Sequence, residues 1–218
     1  MKKLICLLAC VVTSSAALAG SQREGTAPET FAATNPPAPS EVKVAVLPFW
    51  AANQRQIEIA RGAILLNLQR HRFGIVPATA SLVVCAQETD RVVKADAQRE
   101  PGARIQREDA VRLGRQLNAR WVIYGEVEKL ECDISHRAAI DLRLVILDVA
   151  SEKILYWVRW QDTGSRSGSA KRSSNERRIA VQTINLTFDE LKGALPPHKM
   201  GPEVTEEQVR QFIQAMGQ

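Results

Sequence analysis

Along residues 118–131, NARWVIYGEVEKLE, the apolar positions change their rule part-way. Trp121, Val122, Ile123 and Tyr124 are apolar on both alternating faces, as in a strand covered on both sides. After Gly125 the run turns to strict alternation, with Val127 and Leu130 among Glu126, Glu128 and Lys129, as in a strand wet on one side. The next apolar stretch, RAAIDLRLVILDV, runs the opposite way. Ile140, Leu142, Leu144 and Ile146 share one face, while the other begins with Asp141 and Arg143 and ends with Val145, Leu147 and Val149. Folded as an antiparallel hairpin, the two wet ends lie beside one loop and the doubly apolar ends meet in the interior. The pattern predicts a hairpin that projects beyond the helix layer covering its base, with Glu–Arg pairs across the strands at its wet end.

The flanking segments supply the layers. Val42, Val44, Ala45 and Val46 form a short run apolar on both faces, a buried strand that Pro48 ends because proline cannot donate to a ladder. A helix is predicted over Gln54 to His71, with Ile57, Ala60, Ile64, Leu65 and Leu68 on one face. FGIVP, Phe73 to Pro77, reads as a second strand, and a mostly polar region runs from Gln87 to Gln106 with Pro101-Gly102 as a turn signal. The next helix spans about Arg107 to Asn118, with Ala110, Leu113, Gly114 and Leu117 inward. Glu108 and Asp109 in its first turn and Arg115 near its end are in the order the helix dipole prefers. Ile154 to Trp160 reads as a third antiparallel strand, with Tyr156 and Trp160 on one face and Trp157 on the other, read as core packing with an oligomer interface as the alternative. A loop then leads to a helix ending near Gly193, with Val181, Ile184, Phe188 and Leu191 inward. Thr205 and Gln208 frame a last short helix as a capping box, with Val209, Phe212, Ile213 and Met216 as its apolar face. The order β-α-β-α-β-β-β-α predicts an α+β fold, a mixed sheet of about five strands with helices packed on it.

The first residues bear on compartment. Lys2 and Lys3 precede a short apolar run, and Ala17-Leu18-Ala19 is an A-x-A cleavage signal before Gly20, so residues 1–19 read as a secretory signal peptide. The rival reading is a lipobox at LLAC with Cys10 acylated. Residues 20–40 are small, polar and proline-rich and are expected to be a disordered linker. The expected organisation is completed by an α/β domain over 41–195 and a tail over 196–218. Taking Lys2 and Lys3 from the formal charge of +5 leaves +3, so bulk basicity gives no reason to expect nucleic acid. Without the leader two cysteines remain, Cys85 and Cys132. An exported chain admits a disulfide between them, and two unpaired thiols are the alternative.

Candidate chemistry is sparse. His71, His136 and His198 fall in unrelated contexts, and no pair of histidines or mature cysteines has metal-ligand spacing. GSRSGSAK fails as a phosphate loop on glycine spacing and on the missing Lys-Ser/Thr pair. Asn185-Leu186-Thr187 matches a glycosylation sequon but falls on a predicted helix. No catalytic, metal or cofactor residue is assigned. The segment from Ser165 to Arg178 carries Arg166, Lys171, Arg172, Arg177 and Arg178 against Glu176, a local balance of +4. It reads either as a solvated flexible loop or as a contact for an anionic polymer or lipid headgroups.

Several stretches together resemble a known family. VAVLPF opening a strand, FGIVP, LGRQLNARWVIYGEV and LRLVILDVASEKILYW resemble the CsgG-like group, named for the curli-secretion lipoprotein CsgG, with related domains in PelC, LpoB and the N-terminal part of TolB. Leu113-Gly114, Leu117, Ala119, Gly125, Asp148 and Glu152 fill the matching places, over residues 42 to about 160. The resemblance implies a non-enzymatic periplasmic protein attached to the outer membrane. Such a protein assists secretion or assembly by binding envelope proteins and forms a homo-oligomeric ring. Within the same group the alternative is an LpoB-like activator of peptidoglycan synthases. The long amphipathic hairpins of the curli channel have no counterpart in 87–106 or after Trp160, so the resemblance implies the domain without the pore.

Overall fold

The hairpin read from residues 121–148 is the centre of the structure, a computed structural model that describes residues 29–32, 42–71, 73, 79–96, 104–132, 138–163, 172–194 and 199–217. In chain order these residues form β1 (Glu29–Ala32), β2 (Val44–Val46), β3 (Trp50–Ala51), α1 (Gln54–Arg70), α2 (Thr79–Ala95) and α3 (Arg107–Gln116). There follow β4 (Trp121–Cys132), β5 (Ala138–Asp148), β6 (Lys153–Thr163), α4 (Arg172–Ala194) and α5 (Glu206–Met216). The fold is α+β: one mixed sheet of six strands in the order β1-β6-β5-β4-β2, with β3 also on β4. β2 and β3 run parallel to β4, whereas the neighbouring pairs β4–β5, β5–β6 and β6–β1 are antiparallel.

Each face of the sheet has its own cover. Trp121, Ile123, Val127 and Leu130 of β4 and Ile140, Leu142, Leu144 and Ile146 of β5 are buried in one core with residues of α1 and α4. Val122, Tyr124, Val145, Leu147 and Val149 are buried on the opposite face with Ala110, Val111 and Leu113 of α3. α3 has only ten residues, and the core it closes reaches no further along β4 than Tyr124. The strands therefore run on past it with Glu126, Glu128, Asp141 and Arg143 on the open face, as the alternation predicts. Glu126 stands opposite Arg143, with Arg143 Nη1 3.4 Å from Glu126 Oε1.

The alternation along β4 is not strict. Val127 and Leu130 are three apart, which in a regular strand sends them to opposite faces, yet both are buried in the same core. A bulge between Val127 and Lys129 leaves Glu128 without an opposite number on β5 and returns Leu130 to the core side.

Four further expectations change. Glu29–Ala32, within the stretch expected to be disordered, forms β1 against β6, where Thr30 and Phe31 suit an extended chain. Phe73 is buried outside any strand, and the rest of FGIVP lies outside the described residues. The polar region contains the second half of α2, where Thr89 is buried and Val92 and Val93 pack partly buried on the sheet, too few apolar positions among polar ones to announce a helix. The expected loop before the fourth helix ends early, because α4 begins at Arg172. α1 and α5 match the expected segments. Asn53 caps α1 by accepting from Gln56 N at 3.0 Å, and Thr205 and Gln208 form the capping box of α5. α5 seats on Gly62 of α1, where an added Cβ would lie 3.3 Å from Phe212 Cδ1 and 3.4 Å from Val209 Cγ1.

Candidate functional site

A groove of about 690 Å³ lies where four elements converge: β3 and the residues before it, the start of α1, the second half of α2 and the end of α5. Trp50, Ile57, Val93, Ile213 and Met216 supply apolar lining. Its deepest charge is Arg61, 5% exposed, which sits on the inward stripe of α1 between Ile57 and Ile64. Arg61 is paired with Asp90 of α2, and its Nη2 donates to Ala86 O at 2.7 Å. At the far end of α2, Asp96 is paired with Arg112 of α3 at 2.5 Å. These pairs tie α2 to the helices on either side of it. What remains for a ligand is apolar surface, with Glu58 and Lys94 also lining the groove. Such a lining suits apolar side chains of another molecule.

The open end of the sheet is a second surface. Arg104 lies over the ring of Trp50 at 4.3 Å from its centroid, with Nε 3.2 Å from Glu126 and Nη2 2.5 Å from Glu128. Arg159 holds Asp141 through two bonds of 3.2 and 2.9 Å, and Gln161 adds a third at 2.8 Å. Burial pushes the Asp141 carboxyl up, but the bonds from Arg159 and Gln161 outweigh it and hold the group below the usual carboxylate range. Charges of both signs are thus matched within the face.

The basic candidates fare unevenly. Arg166 and Lys171, with the side chain of Arg172, lie outside the described residues. Arg177 and Arg178 are half-buried near the start of α4, with Glu206 and Glu207 of α5 in their field. Burial raises the Glu206 carboxyl, and the charges of Arg178 and Arg177 oppose that rise. Part of the local +4 is therefore matched inside the fold. Cys85 is a free thiol packed partly buried against the larger core, and the side chain of Cys132 lies outside the described residues. Asn185 is buried, its Oδ1 accepting from Asn67 at 2.8 Å and its Nδ2 donating to Val204 O at 2.9 Å, which removes the sequon from any surface role in the folded chain. His71 is buried beside Phe188, with ring centroids 5.6 Å apart. Among the described residues no group of three or more His, Cys, Asp or Glu side chains could hold a metal ion. Among them, too, no helix is long and apolar enough to cross a membrane.

The groove was not anticipated from the sequence, although one signal was present: an arginine on the apolar stripe of α1. The residues matching the CsgG-like pattern do structural work instead. A Cβ on Gly114 would stand 2.5 Å from Val122 Cγ2 and 2.6 Å from Val149 Cγ2, so the glycine lets α3 lie close on the sheet at that point. A Cβ on Gly125 would stand 2.0 Å from Arg143 O and 2.6 Å from Phe49 Cε1. Asp148 accepts from Ser151 N at 2.9 Å and Ser151 Oγ at 2.6 Å, closing the turn into β6, and pairs with Arg120. In that turn Glu152 has φ 56° and pairs with Arg115 at 2.5 Å.

No protein-family model matches the chain, and no curated protein matches it. Solved structures similar to it include a PelC dodecamer from Paraburkholderia phytofirmans, at 16% identity and TM-score 0.46, covering 79% of this chain and 99% of that one. The LpoB C-terminal domain from Salmonella enterica is similar at 15% identity and TM-score 0.33, covering 57% of this chain and 83% of that one. TolB from Acinetobacter baumannii is similar at 13% identity and TM-score 0.32, covering 76% of this chain and 31% of that one. Identity of that order assigns no residue a role.

Proposed function

We propose that this is a CsgG-like, non-catalytic protein of the cell envelope, exported to the periplasm and held at the outer membrane. There it assists secretion or assembly by binding other envelope proteins and works as a homo-oligomer. The observation that carries the reading is the meeting of the family-pattern residues in space. Phe49 closes over Gly125, Gly114 admits the strand β4 beneath α3, and Asp148 locks the turn into β6. A pattern made of packing and turn residues describes a scaffold. Among the described residues, the groove beside α1 and the open sheet face, whose ion pairs are already matched, are surfaces open to a partner. Both suit binding to a protein surface.

The test is expression of a tagged chain in a Gram-negative host, with envelope fractionation, mass spectrometry of the mature N-terminus and light scattering of the purified protein. The reading expects a chain starting at Gly20 in the periplasmic or outer-membrane fraction, with a mass several times that of one chain. A cytoplasmic chain with its leader intact overturns it, and a lipid on Cys10 moves support to the synthase-activator alternative.

A further inference from the structure

We propose that β1 is an exchangeable arm: in the assembled protein, Glu29–Ala32 of one copy pairs with β6 of the next copy and so links neighbours head to tail. This rests on the oligomer reading above and names the contact that makes it.

The edge of β6 is a strand acceptor whose preferred occupant is visible. β1 pairs with it antiparallel, Glu29 opposite Arg159 and Phe31 opposite Trp157, an acid against a base and a phenyl ring against an indole. Every copy carries both halves of this match. All four residues of β1 are exposed, so its own fold holds it by ladder bonds and cross-strand pairs without burying a side chain in either core. The opposite edge of the sheet is different, since α2 packs on β2 there.

Chain length permits both arrangements. β1 and β2 lie at opposite ends of the strand order, four strand spacings apart, or about 19 Å at ~4.8 Å each. The eleven residues 33–43 that join them reach at most about 36–40 Å. A tether that can cross the whole sheet can equally reach the β6 edge of an adjacent copy. Phe31 is 46% exposed on the outermost strand of the sheet, and a strand held at an edge by ladder bonds and cross-strand pairs alone is the kind that exchanges between copies. Because donor and acceptor surfaces differ, the contact is heterologous and generates a ring if the rotation closes.

Two full-length mature variants of different tag size, Glu29→Cys and Arg159→Cys, each with Cys85→Ser and Cys132→Ser, are mixed under mild oxidation and run on a non-reducing gel. Directly opposed antiparallel residues have Cα atoms about 4.5–5.5 Å apart, within disulfide range. Exchange expects a disulfide joining the two tagged chains. In the otherwise native protein, Phe31→Asp should lower the mass by light scattering to that of one chain, leaving the circular dichroism of the fold unchanged. The same mass for native and Phe31→Asp protein, together with an intrachain bridge in Glu29→Cys/Arg159→Cys and none between chains, overturns the exchange while leaving the oligomer reading intact. A single-chain mass for the native protein overturns both.

Discussion

The ring of Phe49 lies over Gly125 so closely that a methyl group there would stand 2.6 Å from its Cε1 and 2.0 Å from the carbonyl oxygen of Arg143. A residue of the short link between β2 and β3 and a glycine inside β4 are therefore fitted to one another, and the backbone oxygen beneath cannot yield. Gly125→Ala should cost more than about 3 kcal/mol. Gly114→Ala meets two valine methyls, which can shift, and should cost about 1–3 kcal/mol. Urea denaturation followed by tryptophan fluorescence checks both. A Gly125→Ala midpoint equal to that of the native chain contradicts the packing described.

Arg61 and Asp90 are unequal partners, with side chains 6% and 36% exposed. Asp90→Leu leaves a buried guanidinium without its counter-charge and should destabilise by about 3–5 kcal/mol. Arg61→Leu leaves a carboxylate that water can reach and should cost less, about 1–2 kcal/mol. The double variant should recover most of the Asp90→Leu loss. Thermal unfolding of the three proteins measures the asymmetry, and equal losses in the two single variants would refute it.

Asp148 gives the fold an acid dependence of known sign. Burial raises its carboxyl, but the hydroxyl and backbone N–H of Ser151, with Arg120, more than offset this and hold it below its ordinary value. A depressed carboxylate stabilises the fold above its unfolded value of about 3.9, and that contribution is lost as pH falls through the folded value. Asp141 acts in the same direction. Stability of the native chain should therefore fall more steeply below about pH 4 than that of Asp148→Asn. Parallel slopes for the two proteins between pH 2 and 5 would remove Asp148 from this role.

Asn185 joins three parts of the chain, accepting from Asn67 on α1 and donating to Val204 just before α5. Asn185→Ala leaves Asn67 short of one partner and Val204 O without this donor, for about 1–3 kcal/mol. Hydrogen exchange should show the loss concentrated in α5, whose approach the Val204 bond anchors. Protection of 206–216 equal to that in the native chain would contradict the anchoring.

Much of this architecture was legible along the chain. The helical spacing of Ile57, Ala60, Ile64 and Leu68, the Thr205–Gln208 box and the mirrored faces of 121–130 and 138–149 are local patterns, and each formed the element it predicted. Apolar periodicity and caps act over three to four residues, within reach of a sequence reading. Val127 and Leu130 also carried a visible warning, an odd separation between two core residues. Which residue would be extruded, however, is settled by register against β5.

The sequence by itself determined α1, α3, α5 and most of α4, the three-strand meander and the change from covered to open sheet, because those follow from side chains sorting between water and core. Only tertiary structure decided that Glu29–Ala32 becomes a strand, that 79–95 becomes a helix and that Arg61 finds Asp90. Glu29 and Arg159 are 130 positions apart, and in the second half of α2 Thr89 is buried with Val92 and Val93 only partly so, too weakly apolar to signal burial alone. Their conformations are set by surfaces that do not exist until the rest of the chain has assembled.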